Sequence, residues 1–163
     1  DVVSHKIVCL DPDGKAVLDF GGRGNGPGKL NYPTHVACDA AENIFVSDSL
    51  NSRVQVFDRD GRFLRTWGKR GDSPGAFSQP KGIACDGKGR VYVVDSHFEN
   101  VQVFSPEGEL LLAFGGEGNA PGEFWLPVGV FVDARSHVWV GDSFHHRVQV
   151  FRHLEEDRGQ LEP

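Results

Sequence analysis

Short apolar runs recur along this chain at a constant interval. Val-Gln-Val-Phe ends at Phe57, Phe104 and Phe151, and Asp-Ser pairs open at Asp48, Asp95 and Asp142, each set spaced by 47 residues. Pro33, Pro80 and Pro127 keep the same register without a gap. Self-similarity at one fixed period of this size means that a single supersecondary unit is stacked on copies of itself.

Within one unit the pattern predicts four strands, over residues 34–39, 43–47, 53–58 and 63–67. Val, Ile, Phe, Tyr and Trp dominate these runs, which is strand composition. The third strand alternates, placing Val54 and Val56 on one face and Arg53, Gln55 and Phe57 on the other. Asp13-Gly14, Asp60-Gly61 and Glu107-Gly108 fit tight hairpins, where glycine supplies a positive φ. A longer Gly-rich loop follows each fourth strand, over residues 21–28, 68–75 and 115–122. A phosphate-cradling loop needs Lys-Ser or Lys-Thr at the start of a helix. These loops run into the next strand instead, so they read as connectors punctuated by Pro-Gly.

Four short antiparallel strands per unit, repeated radially, describe the blades of a β-propeller. The prediction is therefore all-β, with a half blade over residues 1–20, blades over 34–67 and 81–114, and a partial blade over 128–151. About three blades are present, so the propeller is partial. The aromatic sets Phe57/Phe104/Phe151, Phe20/Trp67/Phe114 and Phe45/Tyr92/Trp139 should stack from blade to blade. Residues 152–163 are charged and acidic and read as a frayed tail.

These strings resemble the NHL repeat. Pro80, Gly82, Ile83, Asp86, Val91-Tyr92-Val93, Asp95, the Val-Gln-Val-Phe of residues 101–104, Gly108 and Phe114-Gly115 all match its pattern. The other copies match nearly as well, so the resemblance covers residues 1–151. Two departures stand out: His35 occupies the position of Gly82 and Gly129, and Phe98-Glu99 replaces the Asn-Ser-Arg style junction at Asn51–Arg53. The resemblance implies a ring of six blades, which at this period needs about 280 residues. Either further blades belong to the ring, the reading preferred from the sequence, or a homodimer closes it. In a homodimer, residues 142–151 and 1–10 would compete as two copies of one strand.

The resemblance also implies a non-catalytic scaffold that presents loop faces to a protein partner, with no catalytic residue and no cofactor. Two alternatives stay open. Related propellers include lactonases and the amidating lyase, which hold a divalent metal in the central channel, and His35 is the candidate ligand here. RNA-binding NHL domains are the other alternative, and Arg23, Lys29, Lys69, Arg70 and Lys81 are the candidate partner-binding residues on or beside two long loops. Asp48, Asp95 and Asp142 recur with the Asp-Ser turn and, like the three prolines, read as a structural signature that caps that turn. His145-His146 reads as a surface-loop pair.

Charge is unevenly divided along the chain. The net charge is −6, yet residues 48–94 carry 9 basic and 5 acidic groups while residues 95–141 carry 1 and 7. A field divided in this way can orient a charged partner. The 3 cysteines form no close pair, so Cys9, Cys38 and Cys85 read as small buried apolar residues. There is no apolar run near the ~18 residues of a membrane-spanning helix and no leader pattern. With Met 0, the sequence reads as a portion of a longer or processed chain, and its compartment is not legible.

Overall fold

The computed structural model describes residues 1–152. Its strands are β1 (Lys6–Leu10), β2 (Ala16–Gly21), β3 (Pro33–Cys38), β4 (Ile44–Asp48), β5 (Arg53–Phe57), β6 (Phe63–Trp67), β7 (Pro80–Cys85), β8 (Val91–Asp95), β9 (Asn100–Phe104), β10 (Leu110–Gly115), β11 (Pro127–Val132), β12 (His137–Asp142) and β13 (Arg147–Arg152). All pair antiparallel as meanders. The sheets are blade I (β1–β2), blade II (β3–β6), blade III (β7–β10) and, among the described residues, a three-stranded blade IV (β11–β13). Strand β3 lies against β7, and β7 against β11, so these strands line the inner edge of the arc. Each inner strand opens on its proline, whose missing N–H costs nothing at a strand start. The expected tail boundary shifts by one residue, because Arg152 closes β13, and the rest of the tail lies outside the described residues.

Blades pack face to face, and this explains strands that are apolar on both sides. In blade II, Ile44, Val46 and Phe57 face blade I, while Phe45, Val54 and Val56 face blade III. Blade III repeats the division: Ile83, Val91, Val93 and Phe104 pack on blade II, and Ala84, Tyr92, Val94, Val101 and Val103 on blade IV. Strands β4 and β8 are buried at every residue.

The aromatic sets meet across these seams. Phe20 lies 4.7 Å from Phe57, Trp67 5.8 Å from Phe104, and Phe114 4.8 Å from Phe151, each a fourth-strand ring on the third-strand phenylalanine of the next blade. The hairpin glycine completes the contact: a Cβ at Gly108 would fall 2.6 Å from the Trp67 ring. Trp139 departs from the expected stacking. It is 40% exposed where Tyr92 is fully buried, because it faces the side on which no described blade follows. Cys38 departs as well: it is exposed, because blade I offers no inner strand to cover it, while Cys85 packs between blades II and III. Burial pushes the Cys85 thiol pKa up to about 12, with Asp39, Cys38 and Asp86 adding to the rise.

Polar side chains hold the long loops. Gln55 accepts from the Gly28 N–H at 2.9 Å and donates to the Lys29 carbonyl at 2.6 Å. Gln102 and Gln149 make the same pair of bonds to Gly75 and Ala76 and to Gly122 and Glu123. Asp48 is fully buried and accepts from the Asn31 N–H at 2.6 Å, from Arg53 Nε at 2.7 Å and from Asn51 and Gln55. Asp142 repeats this with Trp125, Arg147 and Gln149. Both carboxylates therefore anchor the loop that enters their own blade. Asp95 differs: besides Ser78 and Gln79 it caps the N–H groups of His97 and Phe98. A second device crosses the seams, where Ser49 donates to the Pro80 carbonyl and Ser96 to that of Pro127.

Two pairs of substitutions test these contacts by urea denaturation. Gly108→Ala should cost about 2–4 kcal/mol, combining a disfavoured positive φ with the clash on Trp67. Gly14→Ala shares the positive φ but faces open space, and should cost only about 1–2 kcal/mol. Arg53→Leu leaves Asp48 buried without its ion-pair partner and should cost about 3 kcal/mol. Arg62→Leu, on an exposed pair, should stay within about 0.5 kcal/mol.

Candidate functional site

A meander puts its connections on two opposite faces. One face carries the tight hairpins, most of them pinned by an aspartate that accepts the two N–H groups of a turn, as Asp58 does from Asp60 and Arg62. The other carries the Asp-Ser turns and the long loops. Arg23, Lys29, Lys69, Arg70 and Lys81 all belong to this long-loop face, as does the start of each inner strand.

The structure does not bring these five cations into one cluster. Arg23 and Lys29 lie on the loop between blades I and II, where the Lys29 ammonium donates to the Gly21 carbonyl at 3.1 Å. Lys69, Arg70 and Lys81 lie one seam further on, between blades II and III. There a polar cleft of about 190 Å³ is lined by Ser49, Leu50, Ser52, Arg70, Ser78, Gln79 and His97. Lys81 stands 5.9 Å from the centre of the Tyr32 ring, a cation over an aromatic face. Ser49 joins the two parts of the seam, since its hydroxyl also meets Thr34 at 2.9 Å.

The next seam is acidic. Glu117 stands at the position of Arg23 and Arg70, pairing with Phe124 as they pair with Leu30 and Phe77. Glu99 is buried against the start of β11; burial raises its pKa, Glu117 adds to the rise, and the Leu126 N–H opposes it. Beside these carboxylates, Trp125 and Phe144 stack at 4.2 Å and 24°, both exposed. Sequence reasoning passed over this pair. The available signal was that Trp125 replaces Asn31 and Ser78, and that Phe144 replaces Leu50 and His97. His145 is not free for chemistry: its Nδ1 meets Asp142 at 2.9 Å, and His146 beside it is exposed. Burial tends to raise the Asp142 pKa, but the Trp125 N–H, His145 and Arg147 outweigh it and hold the carboxyl below its ordinary range.

His35 stands on the inner strand β3, at the position of Gly82 and Gly129. A Cβ at the equivalent Gly82 would fall 2.6 Å from the Val128 carbonyl oxygen. The His35 Nδ1 is buried with no hydrogen-bond partner; burial followed by the charge of Lys81 lowers its pKa, against a hydrogen bond to the Lys81 backbone. A neutral imidazole can ligate a metal, but a cation beside it opposes one. No group of three or more His, Cys, Asp or Glu gathers among the described residues. Of the about three protein ligands that a channel metal wants, the described residues offer His35 alone at this level of the inner strands.

With this geometry in hand, comparison with known proteins is informative about the fold. The DUF5128 family, described as a 6-bladed beta-propeller, matches residues 34–90. No curated protein sequence matches the chain. Among solved structures, virginiamycin B lyase from Staphylococcus aureus is similar with a TM-score of 0.64 at 14% identity, over 95% of this chain and 51% of that one. A Bacteroides caccae protein of unknown function is similar with a TM-score of 0.64 at 19% identity, over 95% and 52%. The WD40 beta propeller domain of Doa1 is similar with a TM-score of 0.63 at 18% identity, over 97% and 50%. The chain thus spans about half the length of the structures it matches. At these identities the likeness shows architecture alone: the chain is a partial β-propeller.

Proposed function

We propose that this chain is an NHL-type propeller segment serving as a protein-binding scaffold, with the long-loop face as its docking surface. The observation that carries the reading is the exposed Trp125–Phe144 stack on a face whose charge changes sign from one seam to the next. Aromatic side chains held rigidly at a surface are the residues that dominate protein interfaces. Leu126, next to Trp125, extends the apolar area, and Arg70, Lys81 and Glu117 supply directional charge. An RNA partner would favour an unbroken basic track, and Glu117 and Glu123 interrupt it. The open faces of blades I and IV are covered when the ring is complete, by further blades or by a second copy of the chain.

Two measurements test this reading. A photo-crosslinking residue at Leu126 should capture protein partners in the native extract, and Trp125→Ala with Phe144→Ala should reduce that capture about tenfold or more. Capture unchanged by both substitutions would overturn the assignment of the face, and adducts lost on ribonuclease treatment would favour RNA. Light scattering over a concentration series addresses closure. A stable two-chain particle would show that two copies complete the ring, and monomer with non-stoichiometric aggregates would show that further blades are needed.

A further inference from the structure

Blade III carries a cavity in the place where its sister blades carry an arginine side chain. In blade II, Arg53 sends Nη1 to the Asn25 carbonyl at 2.9 Å and Nη2 to those of Gly26 and Lys29 at 3.0 and 2.8 Å. In blade IV, Arg147 reaches Asn119, Ala120 and Glu123 in the same way, at 2.9, 3.2 and 2.9 Å. Each guanidinium thus fills the hollow of a long loop. The equivalent residue of blade III is Asn100, too short to reach the loop carbonyls. What remains is a cavity of about 380 Å³ bounded by Asp72, Ser73, Ala76, Phe98, Asn100 and Gln102, the counterparts of the residues around Arg53.

The polar groups of this cavity are unequally served. Gln102 still donates to the Ala76 carbonyl at 2.8 Å, as Gln55 does to Lys29. The Asn100 Oδ1 is buried with no hydrogen-bond partner. Buried acceptors are almost always satisfied, so one left open calls for an explanation. Asp95 lies outside the lining: among the described residues it has no cation such as Arg53 gives Asp48 and Arg147 gives Asp142, and the N–H groups of Ser78, Gln79, His97 and Phe98 serve its carboxylate instead. The cavity thus sets the open Asn100 Oδ1 and the exposed carboxylate of Asp72 against apolar walls from Phe98, Leu110 and Ala113.

We propose that this cavity binds a guanidinium group, that of an arginine side chain presented by a protein partner. Three copies of one loop, held by the same backbone hydrogen bonds, close twice around a guanidinium of the chain itself and once around none. A planar fork of N–H donors suits loop carbonyls arranged in this way better than a point-like ammonium. The site is separate from the Trp125–Phe144 stack, so failure here leaves the docking face standing, and the reverse also holds.

The test is a titration of the whole isotope-labelled chain with a capped arginine amide, followed by NMR. Saturable shifts should appear at the side-chain amides of Asn100 and Gln102 and along residues 72–76, with the capped lysine and citrulline analogues binding at least about fivefold more weakly. Asn100→Arg should abolish the shifts by filling the cavity and should raise the thermal midpoint by about 2–4 °C. Should that variant fail to fold, the analogue series on the unaltered chain still decides. Absence of saturable shifts, or citrulline binding as well as arginine, would overturn the proposal.

Discussion

The structure depends on one constraint: a blade has two apolar faces and cannot stand alone. Phe45, Val54 and Val56 are buried only because blade III covers them, and Ile44, Val46 and Phe57 only because blade I does. Stability therefore resides in the seams more than in the sheets. The polar ties follow from it. Once two faces close, the serine hydroxyls of residues 49 and 96 and the backbone carbonyls of Pro80 and Pro127 lose water and must find one another. The same constraint accounts for the two places where the aromatic and cysteine expectations fail, Trp139 and Cys38, each of which faces the end of the arc.

A residue position at the seams shows how much freedom this leaves. His5, Ser52, Glu99 and His146 occupy equivalent sites, all with a positive φ near 50°. This backbone turns each of the first three side chains toward the next blade. His5 accepts from the Tyr32 N–H at 2.9 Å, Ser52 donates to the Ser78 carbonyl at 3.1 Å, and Glu99 accepts from the Leu126 N–H. Three different chemistries make one joint, and the strain of a non-glycine residue in that conformation is offset by the bond it places.

The fold was legible because repetition turns weak local signals into strong ones. A single Asp-Gly or Val-Gln-Val-Phe says little, but three in register fixed every strand to within about a residue of its observed bounds. Seam chemistry was less legible. The buried aspartates read as turn caps, which describes part of what Asp95 does, but Asp48 and Asp142 hold the incoming loop through Asn31 and Trp125, seventeen residues back in the chain. No local pattern announces a bond of that span. The basic residues were legible as residues but not as a group, since the blade rotation separates Arg23 from Arg70. The cavity at Asn100 was invisible because a missing side chain acquires meaning only beside the ones that are present.

The loop clamp has an evolutionary consequence. On the loops they hold, Gln55, Gln102 and Gln149 bind main-chain atoms alone. The glutamines therefore fix the path of each loop, and one apolar residue per loop, Leu30, Phe77 or Phe124, is buried between the blades. Arg23, Arg70 and Glu117 show the result: one site in three copies, carrying either sign of charge without disturbing the architecture. Mutations at such positions are free to explore new surfaces while the scaffold stays fixed, so one half of a molecule can diverge from the other inside an unchanged frame.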